Sequence, residues 1–211
     1  MAVKIIETRI LSLSLVAIVA AETATGIFLA KTLYSLLIAR LLEIFFLVLI
    51  VSIWSQGMSS VGLAPDKIFA GLKKGVIWSA AFGLCAISGF AILHAAHIHS
   101  LKLIRTDLPH GTHEVVLFFF VGGLVAPVAE EVFFRGIIYG FLRRWGMLVA
   151  LFGSALIFVL CHATGSGVPL TQIVGGLLFA VAYEVARNLM VPITIHVLGN
   201  MAIFGISLVM Q

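Results

Sequence analysis

The chain has 211 residues, of which 62% are hydrophobic and only 10% charged, and its mean hydropathy is +1.20. Soluble domains carry roughly 45–50% apolar and about 25% charged residues, so this composition excludes a water-soluble globular protein and favours a membrane protein. The net charge is +4, but no basic run is interleaved with aromatic residues. We therefore expect membrane lipids, and no nucleic acid, among its partners.

Apolar stretches recur along the chain, and a membrane crossing needs about 20 residues. The sequence predicts an all-α, polytopic transmembrane helical bundle of seven or eight spans. A cleaved signal peptide is the competing interpretation of the first stretch. The amphipathic stretch 62–75, which contains Pro65, is predicted to be a short interfacial helix. The predicted spans cover residues 10–30, 34–54, 75–96, 114–142, 147–163, 170–186 and 191–210.

Lys and Arg are unevenly distributed between the ends of the predicted spans, and basic residues favour the cytoplasmic side. An N-terminus in the cytoplasm puts eight of them inside and three outside. The inside set is Lys4, Arg9, Lys67, Lys73, Lys74, Arg143, Arg144 and Arg187; the outside set is Lys31, Lys102 and Arg105. We predict a multi-pass protein of the plasma membrane with a cytoplasmic N-terminus. We predict that residues 1–211 form one membrane domain, with variable N-terminal spans over 10–110 and core spans over 115–205.

Ionisable groups within spans cost roughly 2.5–3.5 kcal/mol each on insertion scales, so they are candidates for function. The fourth, fifth and seventh spans carry Glu130, Glu131, Arg135, His162, His196 and Asn200. Helical spacing sorts this group. Glu131 and Arg135 are four residues apart and can form an ion pair, whereas Glu130 points about 100° away and has no partner on its own helix. His196 and Asn200, also four apart, share one helix face.

These groups fit the hydrolysis of an acyl bond. Glu130 would take a proton from water, and His162 would position that water and pass a proton to the leaving amine. His196 and Asn200 would stabilise the oxyanion. Taken singly, each residue has a structural explanation as an interhelical hydrogen-bonding group; taken together they favour a site. The predicted span midpoints place His162 and His196 toward opposite membrane faces, so the two side chains meet only if the helices are offset or tilted.

Other polar residues carry weaker signals. Arg40 and Glu43 are three apart and can pair, as can Glu184 and Arg187. Glu22 either lines a cavity or faces another helix. Five histidines surround one loop, where a solvated surface is favoured over a metal-binding one: His94, His97, His99, His110 and His113.

The segments Glu130-Glu131-x-x-x-Arg135, Phe158-x-x-x-His162 and His196-x-x-x-Asn200 resemble, in order, the three motifs of the CPBP family. That family (CAAX protease and bacteriocin-processing, or Abi) is related to the type II CAAX prenyl endopeptidases. The flanking sequences, including Asn188-Leu189 and Pro192-Ile193, also resemble it, over about residues 115–205. The resemblance implies an intramembrane endopeptidase. In it Glu130 is the base, His162 activates water, His196 and Asn200 form the oxyanion site, and Glu131 and Arg135 support the geometry.

Metal dependence has two interpretations. Glu130, His162 and His196 are a possible zinc ligand set. However, the chain has no His-Glu-x-x-His helix. The resembled family is read as glutamate-type, so we predict a glutamate-type protease with no metal cofactor, and a zinc enzyme is the alternative.

The sequence leaves the substrate open. The main prediction is an intramembrane endopeptidase acting on a membrane-associated or lipidated peptide that reaches the site from the bilayer or the cytoplasmic side. A protease for C-terminal sorting signals, bacteriocin leaders or signal peptides is one alternative, and a non-proteolytic immunity or scaffold protein on the same fold is another. A transporter is disfavoured because no inverted repeat is visible. The oligomeric state stays open.

Overall fold

A computed structural model describes residues 5–55, 57–97, 104–162 and 169–210. Those ranges contain seven long helices and no strand, which confirms the predicted all-α helical bundle. The helices are α1 (Thr8–Phe28), α2 (Leu33–Trp54), α3 (Ile68–Ala95), α4 (Thr112–Trp145), α5 (Met147–His162), α6 (Leu170–Ala186) and α7 (Met190–Val209).

Five helices in the described part of the chain, α1, α2, α3, α4 and α7, are long and apolar enough to cross a membrane. The other two, α5 and α6, are apolar but have only 16 and 17 residues. Large apolar side chains such as Phe28 and Val209 point outward with 81% and 88% of their surface exposed. Such a surface is stable against lipid and not against water. The chain is therefore a multi-pass membrane protein.

The connection between α2 and α3 differs from the prediction. Residues 62–75 do not form a separate interfacial helix; a 3₁₀ turn at Pro65–Lys67 leads directly into α3, which continues through this stretch to Ala95. Gly71 and Gly75 lie within this continuous helix, where it closely approaches other parts of the chain. A side chain at Gly71 would collide with Asn188, and one at Gly75 with Thr194 of α7. The missing side chains let α3 and α7 approach closely.

Helix α4 is the central helix, and it packs against α1, α2, α5, α6 and α7. It contains two wide, π-helical segments, Val121–Val125 and Val132–Tyr139, on either side of Ala126–Glu131. Pro127 lies between them and has no backbone N–H to donate to the preceding turn. Such segments often mark functional sites, and here they flank the two adjacent glutamates.

One end of the bundle collects several basic residues. Ile6 donates its backbone N–H to Gly140 at 3.2 Å, and Arg144 donates to the Ile6 carbonyl at 2.6 Å, so the start of α1 meets the end of α4. At the α6–α7 turn, Asn188 donates to the Lys67 carbonyl at 2.9 Å. This grouping agrees with the predicted loop order. The cytoplasmic location of the N-terminus stays a prediction.

Candidate active site

Glu130 lies at the meeting point of α4, α5 and α7. Its Oε2 is 3.5 Å from Nε2 of His162 and 3.8 Å from Nε2 of His196. The Glu130 side chain is 15% exposed, His162 30% and His196 7%. Two imidazoles from two other predicted spans thus converge on one Glu130 oxygen, which is partly shielded from its surroundings.

Nδ1 of each imidazole already has a hydrogen-bond partner. Nδ1 of His162 contacts the Phe158 carbonyl at 2.8 Å, and Nδ1 of His196 contacts Oε1 of Glu131 at 2.8 Å. A carbonyl and an ion-paired carboxylate only accept, so we assign the proton to Nδ1 in both rings. In a neutral imidazole Nε2 is then an acceptor. Both lone pairs face the Glu130 carboxylate, so the site favours a shared proton or a molecule with two donors.

Glu131 and Arg135 form the predicted ion pair, and both side chains are fully buried. Nη1 of Arg135 donates to Oε1 of Glu131 at 3.0 Å, and Nη2 donates to the Gly176 carbonyl at 3.1 Å. The same Glu131 oxygen therefore joins Arg135 to His196. Aromatic rings surround the guanidinium at 4.6 to 5.9 Å: Phe134, Phe158 and Phe179. This cation–π contact stabilises a charge that the membrane interior would otherwise disfavour.

His162 and His196 approach the same Glu130 oxygen, although the predicted span midpoints placed them toward opposite membrane faces. Helices α4 and α5 form a hairpin with its turn at Arg143–Trp145. Glu130 lies before this turn, and His162 lies a similar number of residues after it. The start of α7 is fixed separately. Leu189 donates its N–H to Gly62 at 2.9 Å, and the Asn188 side chain accepts from the Met190 N–H at 2.9 Å. His196, less than two turns further on, stacks on Phe179 with ring centroids 4.5 Å apart.

Asn200 has a different partner from the one its spacing suggests. Its Nδ2 donates to the Gly122 carbonyl of α4 at 2.9 Å. In the wide segment Val121–Val125, the Ala126 N–H reaches back to Val121. The next N–H would belong to Pro127, which has none, so the Gly122 carbonyl is left for Asn200. Asn200 thus connects α7 to α4 one turn beyond His196, and its oxyanion role stays a prediction.

Glu130 and His162 line a cavity of about 340 Å³ that the sequence did not delimit. Its remaining walls come partly from the first two helices: Ile18, Glu22, Arg40, Glu43, Ala129, Phe133, Phe134 and Cys161. The predicted Arg40–Glu43 pair is present, with Nη1 2.6 Å from Oε2. Arg40 also reaches Glu22 at 3.1 Å, which settles the position of Glu22 on the cavity wall. No spacing rule linked these residues to Glu130, because they lie on other helices.

The remaining polar predictions separate into two kinds. Glu184 pairs with Arg187 at 2.5 Å as predicted, and also with Arg143 at 3.0 Å. In the described ranges, no group of three or more His, Cys, Asp or Glu is arranged to hold a metal ion. That includes Glu130 with its two histidines, and four of the loop histidines; His99 lies outside the described residues.

Comparison with known proteins agrees with the motif assignment. Residues 112–202 match the family model of the type II CAAX prenyl endopeptidases, Rce1-like. The chain is 33% identical over 94 residues to the membrane-embedded CAAX protease MroQ of Staphylococcus aureus (strain USA300), and this stretch covers 41% of the chain and 38% of MroQ. No solved structure matches.

The matched region contains all three motifs. It begins with α4 and ends in α7, so it includes Glu130, both histidines, Asn200 and the buried Glu131–Arg135 pair. Over this region, residues 112–202, the chain is similar to the CAAX proteases.

Proposed function

We propose that this protein is an intramembrane endopeptidase in which Glu130 activates the hydrolytic water. The observation that carries the proposal is the convergence of two imidazole Nε2 atoms on one Glu130 oxygen, at 3.5 and 3.8 Å, beside a cavity. Ionisable groups are expensive in a membrane, and grouping them around a cavity is typical of a working site.

The first step is the activation of water. A water molecule between Glu130 and His162 can donate one O–H to the carboxylate and the other to the imidazole Nε2, both of which are acceptors. Glu130 takes one proton, and the hydroxide oxygen attacks the carbonyl carbon of the scissile peptide bond. No nucleophilic serine or cysteine is needed. Cys161 lines the same cavity but serves no step here.

The second step is the collapse of the tetrahedral intermediate. His196 enters this step as an imidazolium that was protonated from solvent before the water attacked; its Nδ1–H stays bonded to Glu131, its Nε2–H donates to the oxyanion, and both protons remain on the ring through the cycle. The Glu131 carboxylate stabilises that imidazolium. Asn200 has a second N–H beyond the one on Gly122 and can supply a second donor. The carbon–nitrogen bond then breaks, His162 relays the proton held by Glu130 to the leaving amine, and the other product is a carboxylic acid.

For the substrate we propose a membrane-associated or lipidated peptide or protein that enters from the bilayer or the cytoplasmic side. MroQ is named a CAAX protease, and the family model describes prenyl endopeptidases. The matched stretch covers 38% of MroQ, so prenylated tails, sorting signals and leader peptides are all substrates to test.

We further propose the plasma membrane as the location, with the N-terminus in the cytoplasm; reporter fusions at the loop after α3 and at both termini would check this.

We propose a mechanism without a metal. Among the residues that the structure describes, no group of three or more His, Cys, Asp or Glu side chains is arranged to hold a metal ion. No step of the proposed mechanism needs a metal. Purified protein should therefore contain no stoichiometric zinc by mass spectrometry and should keep its activity in EDTA or phenanthroline. Loss of activity in chelator, restored by zinc alone, would favour Glu130, His162 and His196 as ligands instead.

The main test is Glu130→Gln, which keeps the shape of the side chain and removes its basicity. We expect kcat to fall by about 10³-fold or more, with KM for a cleaved peptide little changed. The measurement is hydrolysis of a fluorogenic membrane peptide by purified protein in detergent or nanodiscs. Thermal unfolding of the variant serves as the folding control.

Substitutions of the histidines separate this proposal from a non-proteolytic immunity or scaffold function. His162→Ala and His196→Ala should also lose hydrolysis while remaining in the membrane. A cellular function that persists in all three variants would contradict the protease proposal and favour a scaffold.

A further inference from the structure

A second charged group lies on the cavity wall opposite the motifs. Glu22 on α1 and Arg40 and Glu43 on α2 form one ionic cluster, the wall triad. Nη2 of Arg40 is 3.1 Å from Oε1 of Glu22, and Nη1 is 2.6 Å from Oε2 of Glu43. All three residues line the cavity that Glu130 and His162 line. The mechanism above uses none of them.

The wall triad contains more carboxylates than cationic groups. Two carboxylates share one guanidinium, and Glu130 adds a third carboxylate to the cavity, so the lining is net negative when the imidazoles are neutral. The two triad glutamates also interact electrostatically with each other. One arginine balances one carboxylate, so the second remains uncompensated in surroundings of low polarity.

Glu43 shows where the missing donor would bind. Its side chain is only 3% exposed, yet Oε1 has no hydrogen-bond partner among the residues that the structure describes. A buried acceptor without a partner costs about 1–3 kcal/mol, more when charged. Glu22, by contrast, is 45% exposed and is accessible from the cavity. A group that bridged these two side chains would have to be cationic and carry several N–H donors.

A structural ion cluster elsewhere in the protein has the opposite ratio. The cluster around Glu184 is a structural counterpart in the same protein: one carboxylate receives Arg143, Arg187 and the Tyr139 hydroxyl. Donors exceed acceptors there, and the cluster lies away from the cavity. Joining α1 to α2 would need only one of the two carboxylates that Arg40 contacts.

We propose that the wall triad is a specificity subsite for a basic side chain, lysine or arginine, close to the scissile bond of the substrate. The ammonium or guanidinium would bind between Glu22 and Glu43. The negative charge of these glutamates would repel an acidic side chain. The inference rests on the proposed protease function and adds a preference that the three motifs do not specify.

The test is a peptide series cleaved by the purified protein, with Lys, Gln or Glu placed in turn at each position flanking the cleaved bond. At one position the Lys peptide should have a kcat/KM about tenfold above the Gln peptide, with the Glu peptide lowest. Glu22→Gln and Glu43→Gln should each reduce the Lys-to-Gln ratio, and the double variant should bring it near one. Hydrolysis of the Gln peptide should fall much less than hydrolysis of the Lys peptide. Glu184→Gln is the matched control and should leave the ratio intact.

Equal rates for Lys and Gln peptides at every position, or a ratio unchanged in the double variant, would overturn the subsite. Binding separates this failure from failure of the protease proposal. The same uncleaved peptides are titrated against the Glu130→Gln protein, where Lys should bind more tightly than Gln, and Gln more tightly than Glu. That order should disappear in Glu22→Gln/Glu43→Gln/Glu130→Gln. If the unsubstituted protein cleaves none of the peptides while the Glu130→Gln protein keeps the binding order, the protease proposal fails and the subsite stands; equal binding of all three peptides would count against the subsite.

Discussion

The helices α1–α3 and the helices α4–α7 differ in packing and in what they contribute to the cavity. In α4 and α7, 44% of the residues in the most apolar window are buried; in α1, α2 and α3 the shares are 22%, 28% and 0%. The family model matches only residues 112–202, which begin at α4. The first half resembles generic membrane helices, yet it supplies Glu22, Arg40 and Glu43 to the cavity wall.

The comparison teaches that recognisable motifs and cavity charge can lie on different parts of one chain. The groups proposed to react lie on α4, α5 and α7, where buried contacts fix each side chain. The first two helices carry charges that contact one another and face the same space. We infer that the second half determines the reaction and the first half influences which substrate is accepted.

The largest expected effect after Glu130→Gln concerns Asn200. Asn200→Ala should lower kcat by about 10²-fold because an oxyanion donor is lost, and it should lower thermal stability because the Gly122 carbonyl loses its donor. Pro127→Ala supplies a backbone N–H that can reach Gly122. The double variant Asn200→Ala/Pro127→Ala should therefore regain thermal stability but not kcat. Recovery of both would limit Asn200 to connecting α7 with α4.

The buried ion pair is expected to have the next largest effect. Arg135→Leu leaves Glu131 at zero exposure with its bond to His196 but without the guanidinium that balances its charge, at a cost of about 3–5 kcal/mol in unfolding free energy. Glu131→Leu/Arg135→Leu should recover most of that stability, measured by thermal unfolding in detergent. Its activity should stay about 10–100-fold low because His196 has lost the acceptor for Nδ1. A double variant with normal activity would contradict the orienting role of Glu131.

The smallest of these effects tests the contact between the two halves. Gly75→Leu would force α3 away from Thr194, two residues before His196, and should cost about 1–3 kcal/mol together with a moderate loss of kcat. Gly83→Leu is the matched control on the same helix, where an added side chain meets nothing within 4 Å. Equal behaviour of the two variants would show that α3 does not hold α7 in place.

Local spacing predicted the contacts that lie within one helix. Glu131–Arg135, Arg40–Glu43 and Glu184–Arg187 all pair as expected, because residues three or four apart share a helix face whatever the rest of the fold does. The cost of ionisable groups within spans already favoured one site for the three motifs, and their resemblance to a family supported that assignment. The composition alone was enough to predict a helical membrane protein.

Contacts between helices were beyond local spacing. Glu131 and His196 are 65 positions apart, and their bond depends on the turn at Asn188 and Leu189 that starts α7. The interfacial helix was a wrong prediction, because α3 runs without a break from Ile68 to Ala95 and its glycines serve close helix contacts. Spacing placed Asn200 on the same helix face as His196. The Gly122 carbonyl that Asn200 binds has no N–H donor within α4, because Pro127 follows a wide turn.

The two wide segments of α4 have a consequence for anyone rebuilding this centre in a designed bundle. An α-helix advances about 100° per residue, and a π-helical turn holds more residues than an α-turn. The direction of Glu130 relative to the start of α4 therefore depends on Val121–Val125, and the direction of the residues after Arg135 depends on Val132–Tyr139. Grafting the motif onto an idealised helix would rotate the carboxylates away from the histidines. A faithful transplant must copy the backbone irregularity together with the side chains.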